Sequence, residues 1–217
     1  MKRVRVVLAD DHEMFREGLK ALVESQSDME VVGEAATGRS AVALSQELQP
    51  DVVVMDVSMP ELNGLKATEQ LTRLYPQVKI VALTRHREHS YWQELFRAGA
   101  SAYVLKNSAS EELIRAIRAV VADRTYLDPG MVEHAVATVA RGRPTSRTAK
   151  EGRLSDREED VLRHTALGYA NKEIAERLSI SVKTVEAHKA NAMSKVGMTN
   201  RIDIVRYAFL RGWLEDT

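Results

Sequence analysis

Apolar and polar positions follow two rhythms along the first 121 residues. Val4 to Ala9 is a short apolar run, broken at Arg5 and closed by Asp10-Asp11, as in a buried strand. From His12 to Glu24, Phe15, Leu19, Leu22 and Val23 recur at helical spacing. Val31-Val32 marks a second strand, and Ser40 to Leu48 a second helix. Val52 to Met55 is a continuous apolar run ending at Asp56, the mark of a strand covered on both faces. Gly64 to Leu74 then reads as helix, Ile80 to Leu83 as strand and Tyr91 to Ala98 as helix. Ala102 to Leu105 reads as a fifth strand and Ser110 to Val121 as a fifth helix, with Ser108 or Ser110 as its cap and Glu111 and Glu112 in its first turn. Alternation of this length predicts an α/β fold, a doubly wound parallel five-stranded sheet with helices on both faces.

The rhythm changes after residue 121. Asp128-Pro129-Gly130 is a turn or helix-start signal, and Val132, Ala135, Val136 and Val139 have the spacing of a connecting helix. Arg141 to Arg153 is polar, basic and poor in apolar residues, which predicts a flexible tether. From Leu154 on, four helical patterns follow with short joints. Ser155 and Glu158 form a capping box, and Asn171 is expected to cap a short helix bearing Ile174, Ala175 and Leu178. Ser179-Ile180-Ser181 is a tight turn, and Ser181 caps a longer helix with Val182, Val185, His188, Ala192 and Val196. A fourth helix runs from about Asn200 to Arg211. A short helix, a tight turn and a longer helix make a helix-turn-helix, here in a small all-α four-helix domain. The expected divisions are 1–121, a partly helical linker over 122–153, and 154–217.

Composition narrows the classes. The chain has 217 residues, 31 basic and 31 acidic side chains and no cysteine. That excludes disulfides, thiolate zinc sites and cysteine nucleophiles. No apolar run is long enough to suggest a membrane span, and the N-terminus lacks the apolar core of a signal peptide, so a cytoplasmic protein is expected. Residues 1–140 carry 16 basic and 20 acidic side chains, and residues 141–217 carry 15 and 11. The second excess comes from 141–153, with 5 basic and 1 acidic; residues 154–217 balance at 10 and 10. Charge alone therefore does not make the helical domain a nucleic-acid binder; the basic run is either solvated linker or a source of phosphate attraction.

Candidate chemistry collects where parallel strands end at their carboxyl edges. Asp10 and Asp11 end the first strand, Asp56 the third, Thr84 the fourth and Lys106 the fifth. Carboxylates crowded in one crevice repel, and a divalent cation removes that conflict. All-oxygen ligands favour magnesium. One carboxylate could then take a phosphoryl group as an aspartyl phosphate, with Thr84 and Lys106 on its oxygens. Each residue taken alone has a plainer reading, as loop carboxylate, strand-end hydroxyl or solvated lysine; their joint placement is what points to a site. Pro60 fixes a turn just after Asp56, and Asn63-Gly64 is a turn or helix start. In the helical domain, the second helix of the pair presents Lys183, Thr184, Glu186, Ala187, Lys189 and Ala190, which suits either base edges and phosphates or a protein partner.

Residues 1–121 resemble the receiver domain of bacterial two-component response regulators, through Asp10-Asp11, Asp56 in VVVMDVSMPELNG, Thr84 in IVALT, and Tyr103 with Lys106 in AYVLK. The resemblance implies a flavodoxin-like fold with Asp56 as phosphoacceptor. It implies Mg2+ held by Asp11, Asp56 and the backbone carbonyl of Ser58, with Asp10 acting mostly through water. Thr84 and Lys106 would contact the phosphoryl group, and Tyr103, otherwise a half-buried strand aromatic, would swing inward as the switch. Many receivers place a cis proline after the lysine; Asn107 stands there instead, which predicts a trans bond. His86 sits where family members vary in how fast the phosphoryl group is lost.

The segment LSDREEDVLRHTALGYANKEIAERLSISVKTVEAHKANAMSKVGM resembles the LuxR-type DNA-binding domain, and the whole order is similar to the NarL/FixJ class. This implies base-edge contact from Glu186, Ala187 and Ala190, and phosphate contact from Lys172, Thr184, His188, Lys189 and Lys195, with dimer contact through the last helix. Lys183 is placed to reach phosphate as well. Glu186 either accepts from cytosine N4 or pairs with a neighbouring lysine, and His188 is either a contact or a packed histidine. The expected protein is a transcription regulator, phosphorylated at Asp56 by a histidine kinase and binding double-stranded DNA as a homodimer promoted by phosphorylation. Two rivals stand beside it: a phosphorylation-independent regulator whose receiver-like domain only dimerises, and a magnesium-dependent phosphotransferase or phosphatase.

Overall fold

A computed structural model describes residues 2–87, 89–108, 110–131 and 154–214. The chain separates into two compact units, Met1–Ala140 and Arg141–Thr217. The connecting helix expected over Val132 to Val139 and the tether over Arg141 to Arg153 lie outside the described residues.

In the first unit, β1 (Val4–Ala9), α1 (Glu13–Glu24), β2 (Met29–Ala35), α2 (Gly38–Leu48), β3 (Val52–Asp56) and α3 (Gly64–Leu74) follow in turn. Then come β4 (Lys79–Thr84), α4 (His89–Ala98), β5 (Ala102–Leu105), α5 (Ser110–Val121) and β6 (Tyr126–Leu127). All strand pairs are parallel, in the order β2-β1-β3-β4-β5-β6. The sheet therefore has six strands and not the five expected. β6 is two residues long, too short to show a period, and is held from outside its own sequence: Tyr126 N donates to Ser101 O at 3.1 Å and Asp128 N to Tyr103 O at 2.9 Å.

The two faces of the sheet follow residue parity. Val6, Leu8, Val52, Val54, Val81, Leu83 and Val104 pack with Leu19, Val23, Leu113 and Ile117 of α1 and α5. Val7, Ala9, Val53, Met55 and Ile80 pack with Ala41, Ala67 and Leu71 of α2 and α3. Each fully buried aliphatic side chain contributes about 1.5–3 kcal/mol, so β1, β3 and β4, covered on both sides, form the rigid centre.

The second unit holds α6 (Asp156–Ala166), α7 (Asn171–Leu178), α8 (Val182–Lys195) and α9 (Arg201–Leu210). Ser155 and Glu158 form the expected capping box, and Ser181 caps α8 by accepting from Thr184 N at 3.0 Å. The cap of α7 differs from expectation. Ala170 occupies the cap and Asn171 is the first helical residue, because Glu173 reaches back to accept from Ala170 N at 2.6 Å. Ser179 turns the chain between α7 and α8 in the left-handed conformation, φ 54°. Val161, Ile174, Ala175 and Val185 form the small core of the helix pair, with Leu178 and Ile180 against it. Among the described residues, no helix is long and apolar enough to cross a membrane.

Candidate functional site

The order of the strands reverses between β1 and β3, which opens a crevice at their carboxyl ends. Asp10 follows β1, Asp56 closes β3, and Lys106 follows β5. Their numbers continue the parity of Leu8, Val54 and Val104, so the sheet itself aims them at the α1/α5 side. Asp10 and Thr84 have no exposed surface, and Asp56 has 2%. The Lys106 ammonium lies 2.7 Å from Asp56 Oδ2, to which it donates a hydrogen bond, and 2.7 Å from Asp10 Oδ2. The contact to Asp10 is an ion pair without hydrogen-bond alignment. Lys106 also sits 4.9 Å from the centre of the Phe15 ring.

The other atoms of the crevice are held by the loops around it. Ser58 N donates to Asp56 Oδ1 at 3.2 Å, and His12 N donates to Asp10 Oδ1 at 3.0 Å. Arg16 donates to the Asp10 carbonyl at 2.8 Å. After Asp56 the chain turns through Pro60 and Glu61, the latter at φ 64°. Asn63 then caps α3, accepting from Lys66 N at 3.0 Å. Gly64 N donates to Val57 O at 3.0 Å. A side chain at Gly64 would collide with the backbone of Asp56 and Val57, so glycine is what lets α3 start against the end of β3.

Burial pushes the Asp56 carboxyl above the usual carboxylate range; Lys106 opposes this and the Asp10 charge adds to it. Atoms of Asp10, Asp11, His12 and Asp56 that can bind a cation lie within 4.8 Å of one another. Three carboxylates face one ammonium, and Asp10 keeps a buried oxygen that accepts no hydrogen bond. A hard divalent cation fits this donor set, since it supplies the missing charge and takes oxygen ligands.

Thr84 and Tyr103 are linked through one residue. His86 N donates to Thr84 Oγ1 at 3.1 Å, and the Tyr103 hydroxyl donates to His86 O at 2.8 Å. Tyr103 is fully buried, so the ring expected to swing inward already lies inward. His86 stacks on Tyr91 at 4.1 Å. No cis peptide bond occurs among the described residues, so Asn107 follows Lys106 in trans. Sequence reasoning missed His12, whose Nδ1 lies 2.8 Å from Asp11 Oδ1; its position directly after the two aspartates was the available signal. It also missed the His86 link, which is made by backbone atoms and leaves no mark in residue identity.

In the second unit, α8 turns Val185 and Ala192 into the core and leaves Lys183, Glu186, Ala187 and Ala190 exposed. Lys172 on α7 is exposed, while His188 and Lys189 are half-buried. Thr184 is half-buried at the cap, its Oγ1 2.8 Å from Ser181 Oγ. Lys195 has a protein partner that the sequence did not suggest: its ammonium donates to Glu158 Oε2 at 2.7 Å. Ile202, Val205 and Phe209 are exposed apolar residues on α9.

Comparison with known proteins agrees with both units. Residues 6–118 match the response regulator receiver domain, and residues 152–208 match the bacterial regulatory proteins of the luxR family. The oxygen regulatory protein NreC of Staphylococcus carnosus (strain TM300) is 41% identical over 216 residues, covering 98% of this chain and 100% of that protein. A structure of RcsB from Salmonella enterica serovar Typhimurium, bound to a promoter in the presence of the phosphomimetic BeF3-, superposes with a TM-score of 0.81 at 27% identity, over 97% of this chain and 100% of that one. A LuxR-family two-component response regulator from Aurantimonas sp. SI85-9A1 has a TM-score of 0.62 at 34% identity, over 64% of this chain and 99% of that one.

Proposed function

The chain belongs to the response regulators that join a receiver domain to a LuxR-type DNA-binding domain, and from that premise we propose how its own residues carry the switch. The protein is a DNA-binding regulator under phosphorylation control. Its phosphoacceptor is Asp56, in a receiver spanning 1–121; a linker over 122–153, whose first residues add β6 to the receiver sheet, leads to the DNA-binding domain, 154–217. The observation that carries this reading is the Lys106 ammonium, 2.7 Å from both buried carboxylates at the strand-order reversal.

A carboxylate oxygen of Asp56 attacks the phosphorus of a histidine kinase's phosphohistidine. An O–P bond forms, the P–N bond breaks, and the departing imidazole takes up a proton. Lys106 stays on the charge that builds there. Thr84 accepts from His86 N through its oxygen and keeps its own proton to donate to the phosphoryl group. Because the Tyr103 hydroxyl also holds His86, any movement of Thr84 pulls on both sides of that residue. Asp11, Asp56 and the Ser58 carbonyl would hold Mg2+, with Asp10 beside them through water. Bound there, Mg2+ would neutralise phosphoryl oxygens.

On the DNA side, α8 is read as the recognition helix. Glu186, Ala187 and Ala190 would face base edges, and Lys172, Lys183, Thr184, His188 and Lys189 the phosphates. Lys195 would reach phosphate with the hydrogens that Glu158 does not take. The RcsB structures bound to DNA support this use of the fold. A homodimer would read two half-sites about one DNA turn apart. The location would be cytoplasmic, and the role regulatory rather than metabolic.

The test is intact mass after incubation with Mg2+ and phosphoramidate, beside Asp56→Ala, followed by DNA affinity in each state. One phosphoryl group on the wild type alone, with tighter DNA binding, is the expected result. The inward position of Tyr103 favours one rival, a regulator whose receiver works without phosphate. Equal DNA affinity of wild type and Asp56→Ala, before and after phosphoramidate, would establish that rival. Multiple turnover on an external phosphate ester would establish an enzyme instead.

A further inference from the structure

Asp128 is a buried carboxylate outside the acidic crevice that nothing described so far uses. It is 1% exposed, and both of its oxygens accept backbone hydrogen bonds. Oδ2 accepts from Leu105 N at 3.0 Å, and Oδ1 from Gly130 N at 2.8 Å. Its own N–H donates to Tyr103 O at 2.9 Å, and its carbonyl accepts from Met131 N at 2.8 Å. Met131 is fully buried. A single residue thus grips β5 at Tyr103 and at Leu105, the residue before Lys106, and also organises the chain that leaves the sheet. On the other side, Lys106 N donates to Thr84 O at 2.7 Å. The backbone carrying Lys106 is therefore fixed between β4 and the Asp128 carboxylate.

We propose that Asp128 is a positioning residue: it registers Lys106 against Asp56 and transmits movement of that lysine to residues 126–131, where the path to the second domain begins. This rests on the proposed phosphorylation of Asp56. The physical reason is stoichiometric. Two N–H donors, the buried one of Leu105 and that of Gly130 at the surface, need two acceptors, and a carboxylate supplies both. A phosphoryl group on Asp56 draws Lys106 to new oxygens, and the adjacent Leu105 amide cannot move without changing its bond to Asp128. The cost of an unmet buried N–H makes that bond a stiff link and not a loose one. Asp128→Asn keeps the size but offers one acceptor to two donors, so the link is broken at one end.

The experiment uses the full chain with Mg2+ and phosphoramidate. Three readouts are taken: mass for phosphoryl uptake, hydrogen exchange of the peptide covering 126–131, and DNA affinity with and without the donor. In the wild type, phosphorylation should change exchange over 126–131 and tighten DNA binding by a factor within about 5–150, the usual range of coupling between sites. Folded Asp128→Asn should still take up one phosphoryl group, while its gain in DNA affinity falls toward unity. Gly130→Ala, whose methyl would lie 3.1 Å from Asp128 Oδ1, should lower the gain while leaving the charge in place. A phosphorylated wild type with unchanged exchange over 126–131 overturns the proposal, whatever the variants do. So does a wild-type gain kept in full by either folded variant. No phosphoryl uptake by the wild type, or uptake without any gain, counts against the phosphorylation switch itself and removes the premise.

Discussion

Replacing Gly64 by alanine tests how the loop after Asp56 holds its shape. A Cβ at this position would lie 2.7 Å from Val57 Cα and closer still to the carbonyl oxygen of Asp56, where ordinary contact begins at 3.4 Å. The obstacle is backbone on both counts, so no rotamer change can relieve it. Relief requires α3 to withdraw from β3 by at least the 0.7 Å between those two distances. That movement stretches the bond from Gly64 N to Val57 O, now 3.0 Å, and shifts Ser58, which holds Asp56 Oδ1. Overpacking of this kind costs about 1–3 kcal/mol, and the upper end applies because the backbone must give. For a domain of this size each kcal/mol lowers Tm by roughly 3–5 °C. The receiver transition of Gly64→Ala should therefore fall by roughly 6–15 °C in calorimetry, and phosphoryl uptake from phosphoramidate should slow. A transition and an uptake rate both equal to those of the wild type would refute the idea that this close approach positions the phosphoacceptor.

Other substitutions probe the remaining supports. Lys106→Met leaves two carboxylates buried without their cation and should cost about 3–5 kcal/mol in urea unfolding at neutral pH, with Mg2+ restoring part of it; equal stability would contradict the ion-pair reading. Burial raises the Glu158 carboxyl, but hydrogen bonds from Lys195 and Ser155 outweigh it and hold it below the 4.5 usual for a glutamate. The stability this contributes is complete above 4.5 and is lost as pH falls through the lower folded value; circular dichroism of Glu158→Gln across pH 3 to 7, a span of about 4 units, should show that loss abolished. Ser181→Ala removes the cap of α8 and should cost about 1 kcal/mol in the melting of the helical domain. Lys183→Ala should lower the slope of log affinity against log salt by about 0.9, while an unaltered slope would remove it from the phosphate contacts.

Much of the receiver was readable because its chemistry sits where hydrophobic runs stop. Val52 to Met55 must be a doubly covered strand, and Asp56 is the first polar residue after it. The same logic holds for Asp10 after Ala9 and Lys106 after Leu105. Once parallel strands are accepted, these residues can only meet at one edge. What the pattern could not show was contact made by short or backbone elements. β6 has two residues and no period, and its partners are in β5, more than 20 positions earlier in the chain. Asp128 reads as the start of a turn, since Asp-Pro-Gly is a turn signal, and only the fold reveals that its carboxylate faces Leu105. Tyr103 was legible as a strand aromatic but not as a ring already turned inward, because its position depends on the His86 carbonyl.

The helical domain shows the opposite balance. Its caps and core were plain in the sequence, apart from the shift from Asn171 to Ala170, but the partner of one of its lysines was not. Lys195, read from the sequence as a phosphate contact, also donates to Glu158, the residue that closes the cap of α6. The pair fixes the end of α8 to the start of α6, so that cation contributes first to domain geometry. The exposed residues in the first half of α8 include Lys183 and Glu186, of opposite charge, and Ala187 and Ala190, with Lys189 half-buried beside them. With 10 basic and 10 acidic residues over 154–217, such a face draws little non-specific attraction from a polyanion. On the proposed reading, affinity for DNA would then come from close fit of the small residues and from pairing two domains on two half-sites. In such a binding mode dimerisation, and therefore the state of the receiver, would have the most to decide.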